Sequence, residues 1–429
     1  VAGQRIVIAT YGSYGDLHPF IALAQALREA GFAPVLATVA EYRERVEAAW
    51  VAFHPVRPSM ADLTGGSAEA ETRLAEGFAA GGARFLVDTM ISPWLAETLA
   101  DLDTVIEGAS LVVASSFGVA ARIAAERRGI PVVTILLSPM LHFSAHEPIH
   151  AQEAPWLPRF RALFGVRATR AVLDLGKARL RRQHRAISRF RVGIGLPPLN
   201  ADAIIDGPLR ADLVACLYSP LLGALPVDAV PDAFIAGYTF YDGAEPMPAD
   251  LEAFLDHGPP PIVFSLGSFA AHMGTRFYPA SAQAARALGQ RAVLLVAPDD
   301  VARVAEAVGA DAAVHVAGYV PHSRIFPRAS AIVHHGGVGT VGQALRGGAP
   351  QLVVPFWGDQ FDNAERLVRL GVARRLDHRR YSAARPEQAL GALLAPGADY
   401  RARAAAAGAE VRAEDGAAAT ARRIAALLG

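Results

Sequence analysis

The chain has 429 residues, 52% of them apolar and 19% charged, enough for two domains with ample core. Its 41 basic and 41 acidic side chains cancel, which argues against a dedicated nucleic-acid binder. A single cysteine, Cys216, excludes an internal disulfide and any cysteine-based zinc site, and reads as a small buried residue on a strand.

Ile6 to Ala9 reads as a buried strand. The first residues run into it without a leader pattern, and no apolar stretch nears the ~20 residues of a membrane-crossing helix. A soluble, cytoplasmic chain is expected. Phe20, Leu23 and Leu27 then repeat at helical spacing up to Gly31, a natural stop. Pro34 to Val39 is the next strand, followed by a charged helix from Glu41 to Trp50. Leu111 to Ala114 and Val132 to Ile135 are two more strands, separated by a helix over 118–128. Strands alternating with helices predict a parallel, doubly wound α/β sheet.

Residues 159 to 191 interrupt this alternation. Eleven basic residues from Arg159 to Arg191 face one acid, Asp174, with apolar residues such as Phe160, Leu163, Phe164, Leu175 and Ile187 at roughly helical spacing. Two readings stay open: a solvated helical face balanced by acids elsewhere, or a basic amphipathic segment in peripheral contact with an anionic membrane.

Residues 226–261 are rich in proline and glycine and read as a linker. The strand–helix alternation then restarts with strands at 262–265, 293–296, 314–316, 331–333 and 351–354. Two doubly wound units of this kind are expected to face each other across a cleft lined by strand C-termini.

Three glycine-bearing turns follow strands. In Gly12-Ser13-Tyr14-Gly15-Asp16-Leu17-His18-Pro19, Pro19 suits the first turn of a helix. Asp16 there is either an N-cap or a general base for an acceptor hydroxyl, and His18 a structural or supporting neighbour. Ser265-Leu266-Gly267-Ser268 would let amides and hydroxyls approach phosphate oxygens. The third, His334-His335-Gly336-Gly337-Val338-Gly339-Thr340, opens a helix, an arrangement suited to an anion. No lysine follows the glycines, so it is not the Walker pattern. Downstream, Asp359 and Gln360 suit sugar hydroxyls; upstream, Tyr319 of Tyr319-Val320-Pro321-His322 suits a nucleobase face. Asp101-Leu102-Asp103, the one Asp-X-Asp, lies in a helical stretch and reads as surface rather than metal site.

Residues 318 to 363 resemble the donor-binding signature of family 1 nucleotide-sugar glycosyltransferases: aromatic-X-Pro, His-X-Gly-X-Gly-Thr, a proline, then Asp-Gln. Gly-Ser-Tyr-Gly-Asp-X-X-Pro resembles the sterol and glycopeptide branch, where an aspartate stands at the position of a catalytic histidine in plant members. "GDLHPFIALAQAL", "GIPVVTILLSPMLHFSAH" and "DQFDNAERLVRLG" are most similar to the bacterial rhamnosyltransferases that make rhamnolipid.

The resemblance implies the two-domain GT-B fold, with an acceptor-binding domain at 1–225, the linker, a donor-binding domain at 262–405, and a C-terminal helix at 406–429 packing back on the first. It implies Tyr319 on the base, with Val320 offering backbone contacts. Ser268, His335, Gly337, Gly339 and Thr340 would hold the diphosphate, with His334 the alternative histidine. Asp359 and Gln360 would hold the sugar, Asp16 would be the base, and Gly15 and His18 would lie on the acceptor side. The aspartate that partners the plant histidine is missing; Ser115 and Ser116 stand in that region.

The implied reaction is an inverting transfer from a UDP- or dTDP-sugar to a hydrophobic acceptor: a lipid hydroxy acid, sterol, polyketide or flavonoid-like alcohol. No metal or cofactor is expected, a histidine supplying the positive charge at the diphosphate. Two rivals remain at this point, a nucleotide-sugar epimerase of the same fold and a non-catalytic auxiliary subunit.

Overall fold

A computed structural model describes residues 3–243, 245–267 and 274–429. The chain divides into two compact units. Residues 1–12, 16–241 and 415–429 form the first, and residues 13–15 and 242–414 the second.

Among the described residues the first unit holds a seven-stranded sheet: β1 (Arg5–Ala9), β2 (Ala33–Thr38), β3 (Ala52–Pro55), β4 (Leu111–Ser115), β5 (Val132–Leu136), β6 (Leu213–Cys216) and β7 (Ala233–Ile235). The order is β3-β2-β1-β4-β5-β6-β7, all pairings parallel. The central strands are valine and isoleucine runs buried on both faces, as a helix-covered parallel sheet requires. One face packs Val7, Ala9, Val112 and Ala114 against Leu99, Leu102 and Val105 of the helix Leu95–Ile106 and Val119 and Ile123 of the helix Val119–Arg128. Strand order reverses between β1 and β4, the kind of point where such sheets bind ligands.

The second unit holds six parallel strands among the described residues: β8 (Ile262–Ser265), β9 (Ala292–Leu295), β10 (Val314–Ala317), β11 (Ala331–His334), β12 (Gln351–Val353) and β13 (Ala373–Arg375). Their order is β10-β9-β8-β11-β12-β13, reversing between β8 and β11. Two parallel-sheet α/β units are therefore present, as the alternation predicts.

Three expectations change in detail. Residues 226–261 are not plain linker: they contain β7, paired with β6, and the helix Ala249–Asp256, whose Leu251 and Leu255 enter the second unit's core. The units divide between Tyr241 and Asp242, because short apolar pieces inside the proline-rich run still bury their side chains. At the far end the division falls between Glu414 and Asp415, so the helix Gly416–Leu428 belongs to the first unit while Tyr400–Arg412 stays with the second. The first helix begins at Tyr14, placing Pro19 inside it; Asp16 sits in its first turn and is not its N-cap.

Cys216 ends β6, fully buried, with Sγ 3.6 Å from His142 Nε2. Burial pushes its thiol up to about 12. Asp101 pairs with Arg57 and Asp103 with Arg127 and Arg128, so both carboxylates of the Asp-X-Asp are engaged on the helix Leu95–Ile106.

The basic segment forms the helices Leu157–Gln183, broken at Gly165, and Arg185–Gly193. Arg170 pairs with Asp228, Lys177 with Asp206, and buried Arg191 with Glu126. The remaining surface is more apolar than a solvated face needs. Trp156 stacks edge-on against Phe160 at 5.7 Å, Phe160 lies 4.6 Å from Phe164, and Leu163, Phe164 and Leu175 are exposed. Among the described residues no helix is long and apolar enough to cross a membrane.

Candidate active site

In the second unit the reversal of strand order puts the turn after β11 beside the end of β8, with His334 in register with Ser265. His334 is fully buried. Its Nε2 lies 2.9 Å from Gln351 Oε1, and its Nδ1 accepts the Gly336 N–H at 3.1 Å. An Nδ1 that accepts leaves the proton on Nε2, so the ring is a neutral tautomer tying β11 to β12. Burial holds it down to about 4 against the Gln351 bond. Both nitrogens of His334 are thus committed inside the protein.

His335 is differently placed. A Cβ on Gly267 would lie 2.6 Å from its Cε1, and one on Gly337 would lie 2.3 Å from its Nε2, so both glycines make room for the ring. Its buried Nδ1 has no partner among the described residues. Burial, then the neighbouring His334 and His322, push it down to about 3. With no anion beside it, His335 is held as a neutral hydrogen-bonding group. The low-dielectric pocket that seats the ring penalises the imidazolium.

The following helix, Val338–Gly347, has Gly337 as its N-cap and no side-chain cap. Its first amides have no intrahelical acceptor, and the helix dipole adds positive potential there. Gly339 and Thr340 lie in that first turn, Thr340 buried. Ser268, the remaining phosphate candidate, lies outside the described residues.

Asp359 precedes the helix Gln360–Leu370. Its Oδ2 accepts from Asn363 Nδ2 at 2.8 Å, and the same amide donates to the Gly336 carbonyl at 2.9 Å. Asn363, fully buried, therefore links the carboxylate expected to hold sugar to the glycine turn. Gln360 differs from expectation: its Oε1 accepts the Phe356 and Trp357 N–H groups at 2.8 and 3.2 Å, so its carbonyl shapes the backbone at 356–358. Tyr319 keeps 39% of its surface exposed beyond β10, while Val320 is buried and offers only backbone. His322 stacks on Phe326 at 4.3 Å with Nε2 3.4 Å from Ser265 Oγ. Asn363 and His322 went unassigned in the sequence, although both lie inside the stretches that matched.

In the first unit Asp16 follows β1, anchored by Thr10 Oγ1 on its carbonyl at 3.3 Å. Gly12 has φ +129°, and a Cβ there would lie 2.3 Å from Asp16 Oδ2. The carboxylate thus occupies the space that a side chain at residue 12 would fill. Tyr42 OH donates to the Gly12 carbonyl at 2.9 Å and pins the turn. Pro19 has no N–H for the Gly15 carbonyl four residues back, which removes one helical bond just where Asp16 emerges. The His18 ring lies edge-on to Tyr241 at 5.4 Å. Ser115 ends the neighbouring strand and Ser116 follows it; Ser116 Oγ donates to the Ile135 carbonyl at 3.1 Å.

Two parallel α/β units, an uncapped helix opening on a glycine turn and an aspartate seated over a glycine suit an enzyme that takes a phosphorylated ligand. The Glycosyltransferase family 28 N-terminal domain matches residues 6–140, and the C-terminal domain of Erythromycin biosynthesis protein CIII-like proteins matches residues 284–427. The vancomycin aglycone glucosyltransferase of Amycolatopsis orientalis is 32% identical over 391 residues, covering 86% of this chain and 85% of that protein. The O-mycaminosyltylonolide 6-deoxyallosyltransferase of Streptomyces fradiae is 30% identical over 385 residues, covering 87% and 85%. Among solved structures, the glycosyltransferase VinC in complex with dTDP superposes with a TM-score of 0.70 at 19% identity, covering 99% of both chains. The chain belongs to the family 1 nucleotide-sugar glycosyltransferases of GT-B fold. It is a glycosyltransferase, which favours transfer over the epimerase and auxiliary-subunit alternatives.

Proposed function

We propose that the protein is an inverting, metal-independent glycosyltransferase that moves a hexose or deoxyhexose from a dTDP- or UDP-sugar to a hydroxyl of a hydrophobic acceptor. The observation that carries this reading is the glycine turn: an uncapped helix N-terminus beside a buried histidine with an unpartnered nitrogen. Amides of that first turn, Thr340 and His335 donate to the diphosphate as the anomeric C–O bond breaks and negative charge gathers on the leaving group. Asp16 takes the acceptor proton as the hydroxyl oxygen attacks from the opposite face. Asp359, oriented by Asn363, holds sugar hydroxyls, and Tyr319 stacks on the pyrimidine base. The acceptors in the relatives' names, vancomycin aglycone and O-mycaminosyltylonolide, support a large organic acceptor; a lipid hydroxy acid or a sterol stays within the proposal. dTDP, bound in the VinC structure, is the nucleotide to test first.

The test is Asp16→Asn. Turnover should fall by about 10² to 10⁴ while dTDP affinity stays within about twofold. Full retained turnover would remove Asp16 as base. Inverted anomeric configuration of the product and unchanged activity after chelation complete the reading; a retained anomer or chelator-sensitive turnover would count against it.

The exposed Trp156, Leu163, Phe164 and Leu175 beside the arginines of 159–191 favour the second of the two readings of that segment: a peripheral hold on an anionic membrane, where an apolar acceptor would be met. Co-sedimentation with vesicles containing anionic lipid should be salt-sensitive and lost in Phe164→Glu. Equal recovery with neutral vesicles would reject it.

A further inference from the structure

Among the described residues, Arg122, on the helix Val119–Arg128, carries a charge that no carboxylate answers. Its two terminal nitrogens reach the backbone carbonyls of Ser115 and Ser116 at 3.0 and 3.1 Å. No ion pair to it occurs among the described residues, and burial alone lowers its pKa to about 10. Two carbonyl dipoles position a guanidinium without neutralising it, and the half-buried residue leaves part of that charge open to a ligand. Arg191, a fully buried arginine of this unit, is by contrast paired with Glu126.

The surroundings of Arg122 favour an anion. Its helix has Gly118 as N-cap and no side-chain cap, so the positive end of the dipole points the same way. Ser115 is 94% buried, and its hydroxyl has no partner among the described residues.

Position in the sheet says which anion. Strands β1 and β4 flank the reversal of strand order, and their register pairs Ala9 with Ala114. Asp16 lies in the first turn of the helix after β1, and Arg122 near the start of the helix after β4. The helices that carry Asp16 and Arg122 therefore start from adjacent strands at the C-terminal edge of the sheet, where neighbouring strands lie about 4.8 Å apart. Thr10, which holds the Asp16 carbonyl, and Ser115 are the next residues along the two strands and leave the sheet on the same face.

We propose that Arg122, with the Ser115 hydroxyl, is a carboxylate-binding subsite that selects acceptors carrying an acid group besides the hydroxyl delivered to Asp16. The inference rests on the glycosyltransferase reading with Asp16 as base and narrows its acceptor to hydroxy acids. A bidentate guanidinium contact suits a planar carboxylate, and an ester loses the anionic oxygen.

The experiment compares 3-hydroxydecanoate with its methyl ester as acceptors for the purified full chain, using whichever dTDP- or UDP-sugar supports turnover. The wild-type protein should prefer the acid about tenfold or more in kcat/KM. Arg122→Met should bring that ratio to about one, mainly by raising KM for the acid, with ester turnover and dTDP binding unchanged. Arg122→Lys should keep a partial preference. Equal use of acid and ester by the wild-type protein overturns the proposal even if Arg122→Met fails to fold. So does an equal loss on both acceptors in the variant, the signature of a merely structural arginine. If neither compound is glycosylated nor inhibits transfer to another alcohol, the hydroxy-acid subsite falls, while Asp16-dependent transfer to that alcohol leaves the underlying reading intact.

Discussion

Gly12→Ala tests the seat of Asp16 without touching the carboxylate itself. The added methyl would lie 2.3 Å from Asp16 Oδ2 and 2.5 Å from its Cγ, so one of the two groups must move by about 1 Å. A non-glycine residue at φ +129° adds strain of about 1–3 kcal/mol. A misplacement of that size in a reacting group costs about 10² in rate. The expected result is a turnover about a hundredfold lower, a modestly lower melting temperature, and dTDP affinity within about twofold of wild type. Steady-state kinetics with saturating donor and acceptor, paired with calorimetric dTDP binding, read both halves. The double variant Gly12→Ala/Asp16→Asn should be scarcely slower than Asp16→Asn alone, because both changes disable one group. Wild-type turnover in Gly12→Ala, or strictly additive losses in the double variant, would refute the idea that residue 12 is kept bare for the carboxylate.

The two histidines of the glycine turn should separate in simple assays. Burial depresses His334 to about 4 from an ordinary 6.5, so the folded state binds fewer protons than the unfolded one in that range; its stabilising contribution is present above about 6.5 and lost as pH falls towards 4. Urea midpoints measured across pH 4 to 7 should therefore fall on acidification, and less steeply in His334→Gln; an unchanged slope would contradict the burial. His335→Ala should lower turnover by about 10² with little effect on stability, as loss of one donor to a developing oxyanion does. An anion beside His335 raises its pKa, so dTDP binding near neutral pH should take up protons, seen as a buffer-dependent calorimetric enthalpy that vanishes in the same variant. Tyr319→Ala should weaken dTDP binding by about 1–3 kcal/mol, the worth of one base–aromatic stack; unchanged affinity would move the base elsewhere.

Much of this architecture was legible because central parallel strands are buried on both faces and so read as unbroken Val/Ile runs, as in Leu111–Ser115. Edge strands escaped for the converse reason. Ala373–Arg375 exposes both arginines, and Ala233–Ile235 is half-buried within a proline-rich run, so neither shows periodicity. The glycine turn was recognisable because a helix N-terminus needs particular residues to admit a ligand. Direction was not: nothing in "DQFDN" says that Gln360 turns its carbonyl to the backbone while Asn363 reaches Asp359 and Gly336. Nor does "HH" reveal which ring points inward; the answer lies in Gln351 on β12, seventeen residues away, opposite Nε2 of His334. Arg122 was invisible for a similar reason, since an arginine in a helix reads as solvated until its missing partner is seen in space.

The burial of Cys216 has a practical side. Its thiol sits at the end of β6, fully enclosed and pushed up to about 12, so almost no thiolate exists at neutral pH to meet an alkylating reagent. The natural chain is therefore already a silent background for labelling. A single cysteine introduced at an exposed position such as Leu163 would take a fluorophore or spin label selectively, without first replacing the native thiol.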